Sequence, residues 1–263
     1  ANARLQHVDA SGLARTDNWV PGELTKAPFS VGQFMKAHKG SHIGRIEKHL
    51  DQGLELSETD IVQLFNARGS EFDEVCQLAD ELRRSAVGDT VTYVVNRNIN
   101  YTNICSYRCG FCAFSKSSTL KGLRDKAYVL DIAEIVRRAE EAWERGATEV
   151  CLQGGIHPDF TGETYLEICR AIRSALPTLH IHAFSPLEIQ QGAATLNISV
   201  RSFLEKLKES GLSTLPGTAA EILDDEVRRI ICPDKLTTSE WLEIVETAHQ
   251  LELPPTATIM FGH

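Results

Sequence analysis

No apolar run in this sequence approaches the ~20 residues that a membrane-crossing helix requires. The first twenty residues carry scattered charge without the apolar core of a signal peptide. No membrane partner and no secretion are therefore expected. Positive charge is scarce as well. There are 27 Lys and Arg against 36 Asp and Glu, the net charge is -9, and no Lys/Arg-rich run occurs. That balance argues against nucleic acid or an anionic membrane surface as a partner. Cysteine is too thin for a disulfide scaffold. The seven are an odd number in 263 residues, and Cys76, Cys151, Cys169 and Cys232 are scattered, unlike the dense frameworks of small secreted domains. The expectation is a reduced, intracellular protein, most simply cytoplasmic. Short-period repeats and low-complexity tracts are also missing.

What is present suits a globular chain with ample core, 42% hydrophobic and 24% charged. Residues 1–40 lack steady periodicity and read as a linker or arm. Residues 41–88 read as a small helical unit. Ile43, Ile46 and Leu50 share a face ended by Gly53, Ser57-Glu-Thr-Asp60 opens a second helix, and Phe72, Val75, Cys76, Ala79 and Leu82 form a third stripe. From residue 89 the pattern alternates. Strands are expected at Thr90–Val95, Glu149–Leu152, His180–Phe184, Leu212–Leu215 and Thr256–Phe261. Amphipathic helices are expected from Ile132 to Gly146, from Tyr165 to Pro177, from Val200 to Gly211 and from Thr237 to Leu251. Strands separated by helices imply βαβ units and a parallel sheet. The predicted fold is α/β: a partial (β/α) TIM-like barrel over 89–263. The last expected strand falls at the very end of the sequence, so further residues are expected beyond His263.

Three cysteines stand apart. Asn103-Ile-Cys105-Ser-Tyr-Arg-Cys109-Gly-Phe-Cys112 has C-x3-C-x2-C spacing directly after the first expected strand. A cubane 4Fe-4S cluster needs a terminal ligand on each iron, and thiolates suit iron. Three thiolates leave one iron open. S-adenosylmethionine (SAM) offers an amino group and a carboxylate to such an iron, and an electron from the cluster can cleave its sulfonium bond to release a 5'-deoxyadenosyl radical. Two plainer readings stay open: a zinc site completed by His157 or His182, or three buried thiols without metal. The four scattered cysteines read as core packing, Cys232 less clearly.

Other candidates cluster after the strands, where an α/β barrel keeps its chemistry. Gln153-Gly154-Gly155 closes the second strand; Gly154 and Gly155 either free carbonyls for the SAM ammonium or simply make the turn. Phe111 either packs near the adenine or fills core. His157, His182 and Ser185, with Asp159, His180 and Glu188 nearby, are candidate substrate contacts or ordinary structural hydrogen-bonders. His180 and His182 share a strand face, which Phe184 should continue. Glu221, after Pro216-Gly217, either holds the ribose or ammonium of SAM or caps a helix.

The stretches Val94–Cys105 through Lys116, Cys151-Leu-Gln-Gly-Gly-Ile-His-Pro-Asp159, His182-Ala-Phe-Ser-Pro186 and Leu215-Pro-Gly-Thr-Ala-Ala-Glu-Ile-Leu-Asp224 resemble the radical SAM enzymes of deazaflavin and menaquinone biosynthesis. The resemblance spans about residues 40–263 and is closest to the tyrosine-using, 4-hydroxyphenyl transferase half of the FO synthase family. Gly12–Gly22 is similar to the junction of fused FO synthases, so the chain is expected to be the C-terminal half of a fused enzyme. The resemblance implies that Cys105, Cys109 and Cys112 hold a 4Fe-4S cluster and that Gly154 and Gly155 approach SAM. The implied reaction joins the 4-hydroxybenzyl part of L-tyrosine to 5-amino-6-(D-ribitylamino)uracil on the way to the deazaflavin FO. An electron donor and the companion FO synthase half are the implied partners. The alternative is a sibling radical SAM enzyme of the futalosine route to menaquinone. The family barrel carries further C-terminal βα units.

Overall fold

The computed structural model describes residues 42–115 and 126–260. The arm expected over 1–40 and the end of the last expected strand lie outside the described residues. The chain divides into two compact units, Ala1–Val91 and Thr92–His263.

The first unit is helical. Helix α1 (His42–Asp51) buries Ile43 and Ile46 and ends before Gly53, whose φ of +70° favours a residue without Cβ. Helix α2 (Glu58–Asn66) begins with the expected box. The Ser57 hydroxyl accepts from the Asp60 amide at 3.2 Å, and the Asp60 carboxylate accepts from the Ser57 amide and hydroxyl. Those bonds hold the Asp60 carboxyl below its ordinary range. Helix α3 (Ser70–Val87) forms where its stripe places it, but none of its residues is buried. Phe72 and Leu82 stay exposed, and Cys76 is exposed rather than packed in a core. Periodicity fixed the helix, but among the described residues its stripe is left unburied.

The second unit is built on a parallel sheet, β1 (Asn96–Asn100), β2 (Glu149–Gln153) and β3 (His180–Ala183), in the order β1-β2-β3. Asn98 pairs with Cys151 and Cys151 with His182; Asn96, Glu149 and His180 form the row below. Between the strands run α4 (Ile132–Glu144) and α5 (Gly162–Ala175), followed by α6 (Pro186–Thr195), α7 (Val200–Glu209), α8 (Asp225–Ile231) and α9 (Thr238–Gln250). One sheet face is apolar. Ile99, Val150, Leu152, Ile181 and Ala183 are buried in one cluster with Ile135, Ala139 and Ala142 of α4 and Leu166, Ile168, Cys169 and Ile172 of α5. Each large aliphatic side chain buried there contributes roughly 1.5–3 kcal/mol. The other face carries Asn98, Cys151, Gln153, His180 and His182.

Several expectations change. The first strand is not Thr90–Val95, where Val91 and Tyr93 are 89% and 85% exposed, but the asparagine-rich segment after it. β-branched composition marked the wrong stretch because β1 buries only Ile99 and so needs little apolar content. The fourth and fifth strands are reduced to isolated parallel bridges, His182 to Thr214, Leu215 to Pro255 and Glu221 to Ile259. Helix α6 was not anticipated, and α8, which Glu221 was a candidate to cap, is capped by Asp224 instead. Phe184 leaves the face of His180 and His182. Its φ of +64° turns the chain, and its buried ring packs 4.9 Å from that of Tyr165.

Candidate active site

The cysteine loop leaves the C-terminal end of β1 and is clamped from two sides. On one, Asn103 Oδ1 accepts from the Tyr128 amide, Thr102 Oγ1 donates to the Tyr128 carbonyl, and the Leu130 amide donates to the Tyr101 carbonyl. On the other, the Gly155 amide donates to the Thr102 carbonyl and the Ser106 amide to the Ile156 carbonyl, each at 2.9 Å. This second clamp explains the glycine pair. A Cβ on Gly154 would lie 2.3 Å from the Tyr101 ring, and one on Gly155 would lie 2.2 Å from the Ile104 carbonyl oxygen. Close approach of β2 to the loop therefore demands both glycines, whatever else their carbonyls bind.

The three thiols are half-buried and free. Two already accept backbone donors, Cys105 Sγ from the Ile156 amide and Cys112 Sγ from the Ser115 amide, both at 3.4 Å. Hydrogen bonds to the sulfurs are a feature of iron–sulfur ligation that sets cluster potential. Burial pushes the Cys109 thiol up to about 11, against the pull of the Lys235 ammonium. Such a thiol becomes a thiolate when a metal replaces its proton. Among the described residues, no three His, Cys, Asp or Glu side chains converge as ligands of a single ion; a cubane takes its thiolates at separate corners. Soft donors, their number and the N–H groups aimed at them fit a cluster.

The far side of the loop meets the start of α8's exit. The Gly110 amide donates to the Ile231 carbonyl at 2.8 Å, and Cys232 beside it is buried. Lys235 follows, with its ammonium 2.7 Å from Glu221 Oε1 and 5.3 Å from the centroid of the Phe111 ring. Burial opposes that charge, but the bond and ion pair with Glu221 outweigh it and hold the ammonium above its ordinary range. Phe111 and Glu221, expected on the SAM side, are thus brought together by a lysine that sequence reading missed. Its only signal was position, shortly after the Glu221 loop. That loop is braced by the buried Arg228, whose guanidinium donates to the carbonyls of Ala219, Ala220, Ile222 and Leu236. The bracing holds Ala219 and Glu221 at φ of +64° and +51°.

The remaining candidates separate. His157 follows the glycine pair; its Nδ1 accepts from the Asp159 amide at 3.1 Å and its ring stacks on Phe160 at 4.7 Å. Ser185 is occupied as the cap of α6: its hydroxyl accepts from the Glu188 amide and donates to Glu188 Oε2 at 2.6 Å. The buried Glu188 also accepts from the Tyr101 hydroxyl. Burial raises the Glu188 carboxyl despite these donors. The Tyr165 hydroxyl is buried without a hydrogen-bond partner among the described residues, and burial, with the Glu188 carboxyl nearby, raises it above its ordinary value. His182 lies on the polar sheet face beside Cys151, which is half-buried there rather than in the core. Burial lowers His182 from its ordinary value.

A parallel βα sheet with a three-thiolate loop at the C-terminal end of its first strand defines an iron–sulfur protein of the barrel class. The sequence profile of the Radical SAM superfamily matches residues 99–263, and the chain belongs to that superfamily. Its cofactors are a 4Fe-4S cluster and SAM. The chain is 47% identical over 213 residues to FO synthase of Streptomyces coelicolor, covering 81% of this chain and 24% of that protein. It is 51% identical over 190 residues to the 5-amino-6-(D-ribitylamino)uracil--L-tyrosine 4-hydroxyphenyl transferase of Archaeoglobus fulgidus, covering 72% of this chain and 53% of that protein. It therefore spans about a quarter and about half of these relatives. Among solved structures, the FeFe-hydrogenase maturase HydG of Carboxydothermus hydrogenoformans shares the fold, with a TM-score of 0.62 at 24% identity over 84% of this chain and 48% of that one. No helix among the described residues is long and apolar enough to cross a membrane.

Proposed function

We propose that this chain carries the tyrosine-using step of deazaflavin formation, joining the 4-hydroxybenzyl group of L-tyrosine to 5-amino-6-(D-ribitylamino)uracil. The observation that carries the reading is the 51% identity to a transferase named for that reaction, over a stretch covering 72% of this chain. The menaquinone-route reading of the same motifs draws no support from these relatives. A bound cluster supplies the electron that cleaves SAM and so delivers a hydrogen-abstracting radical.

The chain's own residues supply the rest. Cys105, Cys109 and Cys112 would hold the cluster, and the Ile156 and Ser115 amides already donate to two of the sulfurs. Gly154 and Gly155 let β2 approach the loop and leave carbonyls available to the SAM ammonium. The Lys235–Glu221 pair, with Phe111 against it, offers one cation and one anion to the charged and hydroxyl-bearing parts of SAM. His157 follows the glycine pair and is held by the Asp159 amide and the Phe160 ring. The polar face of the sheet, with Asn98, Cys151, Gln153 and His182, offers hydrogen-bond donors and acceptors to a uracil and its polyol chain. Ser185 is engaged with Glu188 in capping α6. Thiolate ligation suits a reducing compartment and a low-potential electron donor, and the companion FO synthase activity would consume the product.

Anaerobic reconstitution with iron and sulfide, followed by SAM, reductant, tyrosine and the diaminouracil, tests the proposal. The expected result is 5'-deoxyadenosine together with a tyrosine-derived adduct in the mass spectrum. Bound zinc without iron, or SAM cleavage that never yields the adduct, overturns it.

A further inference from the structure

Two histidines of β3 share one hydroxyl. His180 and His182 lie two residues apart on the polar face, and Thr214 reaches them from the segment that bridges β3 on its far side, its carbonyl accepting from the Ala183 amide at 3.0 Å. Thr214 Oγ1 is 2.8 Å from His180 Nε2 and 2.7 Å from His182 Nδ1. A hydroxyl has one proton to give. Donating to one imidazole while accepting from the other gives the trio two arrangements that differ only in where protons sit. The ends of the chain are unequal. His180 Nε2 also lies 3.7 Å from Glu149 Oε2, its side chain is 40% exposed, and Asn96 Nδ2 donates to the other Glu149 oxygen. His182 is more enclosed, and its cross-strand neighbour is the neutral Cys151.

We infer that His182, Thr214 and His180 form a proton relay, running from the polar face of the sheet toward the N-terminal end of the strands, away from the cysteine loop. The inference rests on the proposed function, because it needs a substrate that loses a proton over that face. The step balances without any redox partner. A substrate N–H or O–H bond breaks and its proton goes to His182 Nε2. The Nδ1 proton of His182 passes to Thr214 Oγ1, and the original hydroxyl proton passes to His180 Nε2. His182 ends neutral with its other tautomer, Thr214 ends as a hydroxyl, and the imidazolium rests on His180 beside Glu149, from which water takes the proton. His182 is then the catalytic base, and Thr214 and His180 are positioning residues.

Two measurements decide it. Long-range 15N–1H spectra of the histidine rings in the full chain are expected to show matched tautomers at neutral pH, both Nδ1–H or both Nε2–H, because one hydroxyl proton links them. Thr214→Val, which keeps the β-branched shape, uncouples them, and Thr214→Ser restores the match. Unmatched tautomers in the wild type overturn the relay whether or not the adduct forms. In the reconstituted enzyme, Thr214→Val is expected to slow adduct formation about tenfold, a modest share of general-base catalysis, and to shift its pH profile, while Thr214→Ser recovers the rate. A wild type that makes no adduct refutes the proposed function and leaves the spectra to judge the relay. A wild type and a Thr214→Val variant that make it equally fast, with the same pH profile, refute the relay alone.

Discussion

The two faces of one small sheet have opposite compositions. On the helix-covered side Ile99, Val150, Leu152, Ile181 and Ala183 are at or near zero exposure. On the other, the same three strands carry Asn98, Cys151, Gln153, His180 and His182, none of them buried. Strand geometry makes this division residue by residue, since neighbours point to opposite sides. The lesson concerns where constraint lies. The apolar face is held by packing and dictates stability. The polar face is free of that demand, and its residues are available for chemistry. The loops at the strand ends inherit their positions from the first face and their function from the second.

The sharpest way to break the comparison is at the loop itself. Cys109→Ala removes a cluster corner while leaving both sheet faces intact. It is expected to abolish the spectral response of the reconstituted protein to SAM while leaving the circular dichroism of the unit unchanged. The next test sets neighbours on β2 against each other. Leu152→Ala opens a cavity in the packed face and is expected to cost about 2–5 kcal/mol in denaturant unfolding. Cys151→Ala, one residue away, is expected to cost less than about 1 kcal/mol. Equal costs would erase the distinction between the faces. A third test joins face and loop. Gly155→Ala forces a Cβ to within 2.2 Å of the Ile104 carbonyl. It should destabilise by roughly 1–3 kcal/mol and lower iron incorporation without removing a ligand. Gly110→Ala, whose added Cβ meets only ordinary contact at 3.6 Å, is the matching control and should load iron normally.

How much of this was readable in the sequence follows from the same division. Helices with one buried stripe, such as α4, α5, α7 and α9, announced themselves, and so did the capping residues Ser57 and Thr237. Helix α6 did not. Pro186, Leu187, Glu188, Ile189, Gly192 and Ala193 are all buried, so no polar side alternates with an apolar one. Strand β1 was displaced because asparagine on the polar face lowers apparent strand propensity, while Thr90–Val95 has the composition but lies outside the strand. The cysteine loop was legible because its spacing is local. Lys235, Arg228 and the Thr214 bridge were not, because each acts across gaps that only the fold closes: 14 residues between Lys235 and Glu221, and 32 between Thr214 and His182.

The smallest expected effect is a pH dependence confined to the polar face. Burial lowers His182 below its ordinary value of 6.5, with the positive charge of a protonated His180 adding to the shift and Glu149 opposing it. A histidine whose folded pKa is depressed stabilises the fold in its neutral form. That stabilisation is fully present above about 6.5 and is lost as pH falls through the folded value, where the half-buried ring is forced to carry charge. Solvent screens a site this open, so the loss should amount to a few tenths of a kcal/mol. Urea unfolding at pH 7.5 and pH 5.5 measures it. The wild type should lose slightly more stability between the two than His182→Gln, which has nothing to protonate. No residue of the apolar face titrates in this range, so Leu152→Ala should lower both curves equally and leave their difference unchanged. If His182→Gln keeps the wild-type pH difference, the titration belongs elsewhere, and His182 is more open to solvent than its place beside Thr214 requires.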